Sequence, residues 1–326
     1  MVATGFLPIA GRLLAIPAIV APFLTIVVLL HVWRAKEWRA ALRHYQTLLE
    51  RWPNDSSSAV FELHAGEASA ELGEYPAALE HYRRAAERGR DSVATRAAWQ
   101  RIAVTDRWYE STRPPAVKGT ARGTGRDSLA RAVIAAADSL LAREPGHPQA
   151  ADLVWRECQL AVTHGWSDDA QALLARFVRG FPTDKRAPLA ANERAQVYLR
   201  AGDHAAAGAA FEEALQVARR AGVDSLARAA ERALPVCAYR AAEAAVAADS
   251  TKHERHAELF AEVAKRWPEY EHAPVAQYRA GLAWLDGGRT SEAVRARGLT
   301  RICSTTESAA TAAHACPRYR GERFLR

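Results

Sequence analysis

Among 326 residues there are only four cysteines, one methionine, 19 glycines and 15 prolines. Four cysteines, none before Cys158, are too few to staple a small secreted scaffold. They also leave no residue to lipidate after the apolar stretch near the start. No Gly-x-Ser-x-Gly elbow occurs, so that route to nucleophilic catalysis is missing. The glycine-rich stretch 119–126, GTARGTGR, lacks the Lys-Ser/Thr ending that grips phosphate and Mg²⁺. His253 and His256 stand three apart, whereas a zinc-protease helix needs two histidines four apart; they read as part of a solvated helical face. Cys303, His314 and Cys316 include no Cys-x₂-Cys pair. No catalytic residue, metal ligand, cofactor or small-molecule substrate is expected, and the chain is not read as an enzyme.

What is abundant is alanine, more than a fifth of the chain, within a composition that is 49% hydrophobic and 25% charged. Disorder throughout is excluded, and helix is favoured because alanine has the highest helix propensity. The net charge of +7 sits at the ends: +4 over 1–43, +5 over 289–326 and −2 between. A nucleic-acid surface gathers its cations on one face, so no nucleic-acid partner is expected.

Leu13 to Leu30 is an uncharged run, LLAIPAIVAPFLTIVVLL, followed by His31, Val32 and Trp33. That length matches a hydrocarbon core, Pro17 and Pro22 are tolerable in a membrane helix, and Trp33 and Trp38 sit where interfacial anchors serve. The bulky, basic HVWRAKEW that follows is no signal-peptidase site. The expectation is a flank over 1–12 and a transmembrane anchor over 13–33, making a single-pass inner-membrane protein. Arg34, Lys36, Arg39 and Arg43 beyond the span would hold the C-terminal bulk in the cytoplasm by the positive-inside rule. The excess over Arg12 and the amino terminus is small, so orientation stays open.

Beyond residue 34 the chain repeats itself. Amphipathic stretches end at Pro53, Pro145, Pro182 and Pro268, and PTDKRAPLAANERAQVYLRAGD aligns with PEYEHAPVAQYRAGLAWLDGGR. Gly73 is followed by Ala78, Tyr82 and Ala85; Gly202 by Ala207, Phe211 and Ala214; Gly165 by Ala170, Leu174 and Phe177. Trp38, Ala41, Tyr45 and Leu48 repeat the pattern, with Lys36 in the glycine slot. On that register the interval is 37 residues from Lys36 to Gly73, Ser128 to Gly165, Gly165 to Gly202 and Thr251 to Gly288. A glycine ends one helix, small residues let the next approach, and an aromatic fills the space behind. Gly66, Cys158, Ala195, Ala244 and Gly281, each seven before its slot, are the expected points of closest helix contact.

This pattern resembles the tetratricopeptide repeat (TPR), a helix–turn–helix unit of 34 residues, here with a loop about three residues longer. The resemblance implies an all-α, TPR-like α-solenoid of antiparallel helix pairs over 34–296, preceded by the one transmembrane helix. Good repeats fall at 59–92, 151–184, 188–221 and 274–296, poorer ones around 93–147 and 237–270. Interruptions are expected at a loop over 113–127 and at an extra helical segment near 223–235 that ends at Pro235. Residues 297–326 lose apolar periodicity and read as an irregular, disordered basic tail, native, divergent or out of frame. The loop form P-x-D-x-x-A-P-x-A is most similar to repeats of bacterial cell-envelope proteins, of the outer-membrane barrel-assembly lipoprotein and periplasmic cell-division coordinator types.

In this family the first helix of each pair lines a concave groove that holds partner proteins. Carried over, the resemblance implies that Glu67, Trp155, Gln159, Asn192, Gln196, Arg200 and Tyr278 face a peptide or a partner helix, although Trp155 and Tyr278 fit a core role equally well. Leu63, Trp155, Asn192, Ala241 and Tyr278 share one groove position, with no lysine among them, which argues against a co-chaperone carboxylate clamp. The expected function is a non-catalytic, membrane-anchored interaction scaffold, the alternative a periplasmic envelope-assembly factor.

Overall fold

The computed structural model describes residues 37–112 and 124–303, and these form thirteen helices and no strand. The chain divides into two compact units, Met1–Ala150 and Ala151–Arg326. The first holds α1 (Trp38–Arg51), α2 (Ser58–Glu71), α3 (Tyr75–Arg88), α4 (Asp91–Ser111) and α5 (Thr124–Arg143). The second is built from α6 (Ala150–His164), α7 (Ser167–Gly180), α8 (Ala187–Ala201), α9 (His204–Arg220), α10 (Asp224–Ala248), α11 (His253–Arg266), α12 (Ala273–Asp286) and α13 (Thr290–Cys303).

Two kinds of connection alternate, and each follows from local chemistry. Trp52, Phe181 and Trp267 precede prolines and leave their helices at φ −133°, −132° and −130°, because the proline ring excludes the helical conformation from the residue before it. Two turns then follow in series. Asp184 N–H donates to the Phe181 carbonyl and Ala187 N–H to that of Asp184; the same pair of bonds joins 52, 55 and 58, then 144, 147 and 150, then 267, 270 and 273. Asp55 and Asp184 also accept the N–H groups of Ser57 and Arg186 at 2.7 and 2.8 Å.

Inside the pairs, Gly73, Gly165, Gly202 and Gly288 all lie at φ between +72° and +79°, a region costly for any residue with a Cβ. The residue after each glycine donates to the carbonyl five back, as Asp203 does to Tyr198, capping the first helix in a Schellman turn. Gly222, at φ +70°, makes the same turn between α9 and α10.

Packing follows the expected slots where these turns are present. Ala78, Tyr82 and Ala85 are buried on α3, Ala207, Phe211 and Ala214 on α9, and Ala170, Leu174 and Phe177 on α7. A Cβ at Gly66 would lie 2.7 Å from the Tyr82 ring, so only glycine fits that approach. Ala195 and Cys158 are also buried, and Gly281 faces Ala293 and Ala296.

Several expectations need correction. Ser128 is no turn: it lies inside α5, whose first turn already takes in 124–127, so the loop expected over 113–127 ends by Thr124. Pro235 does not end a helix. It is buried within the 25-residue α10, where it removes the N–H that would bond to the Glu231 carbonyl. Burial on both sides outweighs that loss: Ala227, Ala230 and Leu234 pack with α9, Tyr239 and Ala242 with Phe260 and Val263 of α11. Ala244 is exposed and Ala242 fully buried, because the α10–α11 turn has no glycine and runs two residues longer than the Gly202 turn. His256 is buried beside Ala257 on α11 and not solvated.

The sequence boundary at 296/297 falls within α13, which runs on to Cys303. The expected anchor at 13–33 and residues 304–326 lie outside the described residues. Among those described, no helix is long and apolar enough to cross a membrane.

Candidate protein-interaction groove

In the second unit the groove candidates are arranged by period. Trp155 and Gln159 on α6 are one helical turn apart, and Asn192 and Gln196 on α8 stand 37 residues further on. Gln159 and Arg200 are exposed; Trp155, Asn192, Gln196 and Tyr278 are half-buried. The Oδ1 of Asn192 is shielded from water and accepts no hydrogen bond, a poor situation for a polar atom unless a partner supplies a donor.

Trp155 is partly committed elsewhere. Its ring centroid lies 5.4 Å from that of buried Phe177, and the Arg186 guanidinium stands 5.8 Å from its ring. Arg186 is itself fixed by Asp184 at 2.7 Å and Asp152 at 2.8 Å, and the hydrogen bonds it donates to Asp184 hold that carboxyl down at about 2. The loop before α8 and the flank of Trp155 are thus locked together.

The two-residue extension of the α10–α11 turn also moves the shared groove position. Tyr239, and not Ala241, matches Trp155, Asn192 and Tyr278 once that extension is counted. The Tyr239 ring stacks on His272 at 5.5 Å, and the Arg279 guanidinium stands 5.4 Å from it while pairing with Glu243 at 2.7 Å. The missing glycine at 251 was the available signal.

A second regularity lies in the ion pairs that join the helices of each hairpin. Glu157 on α6 pairs with Arg176 on α7 at 3.2 Å, and Arg194 on α8 pairs with Glu213 on α9 at 2.5 Å. Both residues of the second pair lie 37 beyond those of the first, with the charges exchanged. A helix that paired one hairpin too far would set like charges together, so the reversal favours the correct partner.

In the first unit Glu67 is buried, 2.7 Å from His64 Nδ1 and 2.9 Å from Arg96. Its carboxylate joins α2 to α4 and is occupied internally. Glu62, 2% exposed, lies 2.6 Å from His81 and 3.2 Å from Arg88.

Cys158 is buried and its thiol is pushed up to about 12, by burial first and by the neighbouring Glu157 charge second; Cys237 is shifted upward by burial. Both are poor nucleophiles. Among the described residues no group of three or more His, Cys, Asp or Glu could hold a metal ion.

Comparison with known proteins bears on the fold. The sequence matches no curated protein. Among solved structures, it is similar to a tetratricopeptide repeat protein from Parabacteroides merdae, with 12% identity, 83% of this chain and 97% of the other covered, and a TM-score of 0.39. The C-terminal part of a TPR repeat-containing protein from Cytophaga hutchinsonii gives 13% identity, 87% and 98% coverage and a TM-score of 0.37. The TPR2AB domain of yeast Sti1, in complex with pHSP90, gives 14%, 65%, 82% and 0.26. The family model described as tetratricopeptide repeat matches residues 30–93 and 157–224. The first segment contains the whole α2–α3 hairpin and the second the whole α8–α9 hairpin, so in both places the similarity falls on complete helix–turn–helix units.

Proposed function

We propose that this protein is a non-catalytic interaction scaffold, its first helices presenting a groove to an extended peptide or a helix of a partner protein. The observation that carries the reading is the periodic amide stripe of α6 and α8, with Asn192 Oδ1 lacking a donor beside Gln196 and with Gln159 exposed. Amides at regular spacing match the alternating donors and acceptors of a peptide backbone. Gln159→Ala together with Gln196→Ala should weaken partner capture at least tenfold while leaving the thermal midpoint within a few degrees. Undiminished capture would remove the groove from the reading.

The scaffold is proposed to be tethered to the inner membrane through 13–33. The uncharged run and the flanking tryptophans support this. Release of the full-length protein into the soluble fraction without detergent would rule out the tether. Paired topology reporters fused after Asp203 separate the two sides. A signal beyond the inner membrane favours envelope assembly, the role to which the loop resemblance points; a cytoplasmic signal discards it.

A further inference from the structure

Helix α1 opens the described array, and the described residues leave one of its flanks uncovered. Leu48 shares a register position with Ala85 of α3, Phe177 of α7, Ala214 of α9 and Val263 of α11. Those four are no more than 2% exposed, whereas Leu48 is half-buried. Trp52, at the end of α1, is 45% exposed, while its counterparts Phe181, Ala218 and Trp267 are half-buried or buried. Elsewhere the first helix of a pair packs on the second, as α8 does on α9. α1 is the first described element and has no such neighbour among the described residues.

The chemistry of this flank is mixed in a particular way. Leu48 and Trp52 supply apolar surface, His44 and Arg51 are exposed between them, and Arg43 is exposed on the adjoining face. The Arg51 guanidinium stands 6.0 Å from the Trp52 ring. Neither Arg43 nor Arg51 pairs with a carboxylate among the described residues. Glu50 lies on the other side of α1, lining the cleft that α1 and α3 form over Glu62. From 34 to 52 the chain carries five cations against two carboxylates.

Position adds to composition. Trp38 is five residues beyond Trp33, where the proposed span ends, and at about 3.4 Å per residue that linker reaches no further than ~17 Å. We propose that the open flank of α1 lies on anionic lipid headgroups of the membrane that anchors the chain, with Arg43 and Arg51 at phosphates and the Trp52 ring among the headgroups. Arginines beside a span are drawn to an anionic surface, and tryptophan favours the boundary between headgroups and acyl chains. A second copy of the chain is a poor cover, since a two-fold axis through this flank would set its arginines against themselves. The segment 21–35 is a poor cover too. Seven residues before the turn slot, where Gly66, Cys158, Ala195 and Gly281 stand, it carries Leu29, which holds two helices apart. The inference rests on the proposed tether and names what the protein beside it touches.

The test places a fluorescent amino acid at His44 of the full-length protein, held in vesicles of equal parts phosphatidylcholine and phosphatidylglycerol. A probe at Ala103, exposed on α4 of the same unit, is the control. Lipid bearing a quencher on its headgroup should quench the His44 probe severalfold more than the control. That excess should fall severalfold at high salt, in phosphatidylcholine alone, and on Arg43→Gln with Arg51→Gln in a protein of unchanged thermal midpoint. Trp52→Ala should lower it as well. No excess over the control, or an excess indifferent to lipid charge and to the arginine changes, would overturn the proposal. A His44 probe shielded from both the headgroup quencher and aqueous iodide would show that protein covers the flank, residues 21–35 or a second copy, and would also end it. Washing with salt and alkali separates this inference from the tether. Protein that resists washing without excess quenching keeps the tether and ends the proposal; protein quenched at His44 but released by washing loses the span while the headgroup contact stands.

Discussion

Hairpins α8–α9 and α10–α11 sit side by side in the second unit, yet one turns on a glycine and the other on an aspartate. Gly202 reverses the chain at φ +79° with two residues between helices, and Asp203 caps α9 by accepting the Ala206 N–H at 2.9 Å. At the second turn Asp249 accepts the backbone N–H and the hydroxyl of Thr251 at 3.0 and 2.6 Å, and four residues are needed before α11 begins. The buried aromatics are nevertheless retained, Phe211 in one hairpin and Phe260 in the other. The difference teaches that the core slots set the repeat, whereas the turn sets only the offset between its two helices.

If the aromatic slot dominates, Phe211→Ala and Phe260→Ala should each destabilise by roughly 3–5 kcal/mol in denaturant unfolding, despite their unlike turns. A small loss at Phe260 alone would show that the longer turn has loosened its hairpin. Pro235→Ala is specific to α10 and should stabilise, by up to about 3 kcal/mol less any packing lost, read as a raised denaturant midpoint. Gly202→Ala should destabilise by about 1–2 kcal/mol from its left-handed backbone, and the α10–α11 turn has no counterpart position.

The smallest effect is one of pH. Hydrogen bonds from Thr251, side chain first and backbone second, together with Lys252, hold the Asp249 carboxyl down at about 2. A carboxyl lowered in the folded state adds stability above its unfolded value near ~3.9. That stability is lost as pH falls toward 2. Asp249→Asn keeps an acceptor but removes the titration, so acid unfolding in that window should become shallower. An unchanged acid limb would show that the turn's charge is immaterial.

The parts of the fold that were legible in the sequence are those fixed within a few residues. Gly73, Gly165, Gly202 and Gly288 announce positive φ, and the prolines at 53, 145, 182 and 268 announce helix ends. Gly66 could be read as a contact point because nothing larger clears Tyr82. Where the local signal is absent the register slips: Ser128 and Thr251 take a turn slot on period alone, one lying in mid-helix and the other in a longer turn. Pro235 misled because a tertiary burial on both sides outweighs a local penalty.

The spacing of Trp155 and Gln159 with Asn192 and Gln196 is legible for the same reason as the glycines, since it repeats at 37 residues. The Glu62 cleft is not. Its members come from three helices, and only their folded neighbourhood distinguishes a buried, doubly held carboxylate from an ordinary surface one.

The central claim is that the first helices α6 and α8 of the second unit receive a partner at their amide-bearing face. A photo-crosslinking amino acid placed at Gln159 or Gln196, with Gln216 on the exposed face of α9 as control, tests it inside the cell that makes the protein. The account predicts one discrete adduct, shared by the two groove positions and missing from the control. The same adduct from Gln216, or none from Gln159 and Gln196, would contradict it.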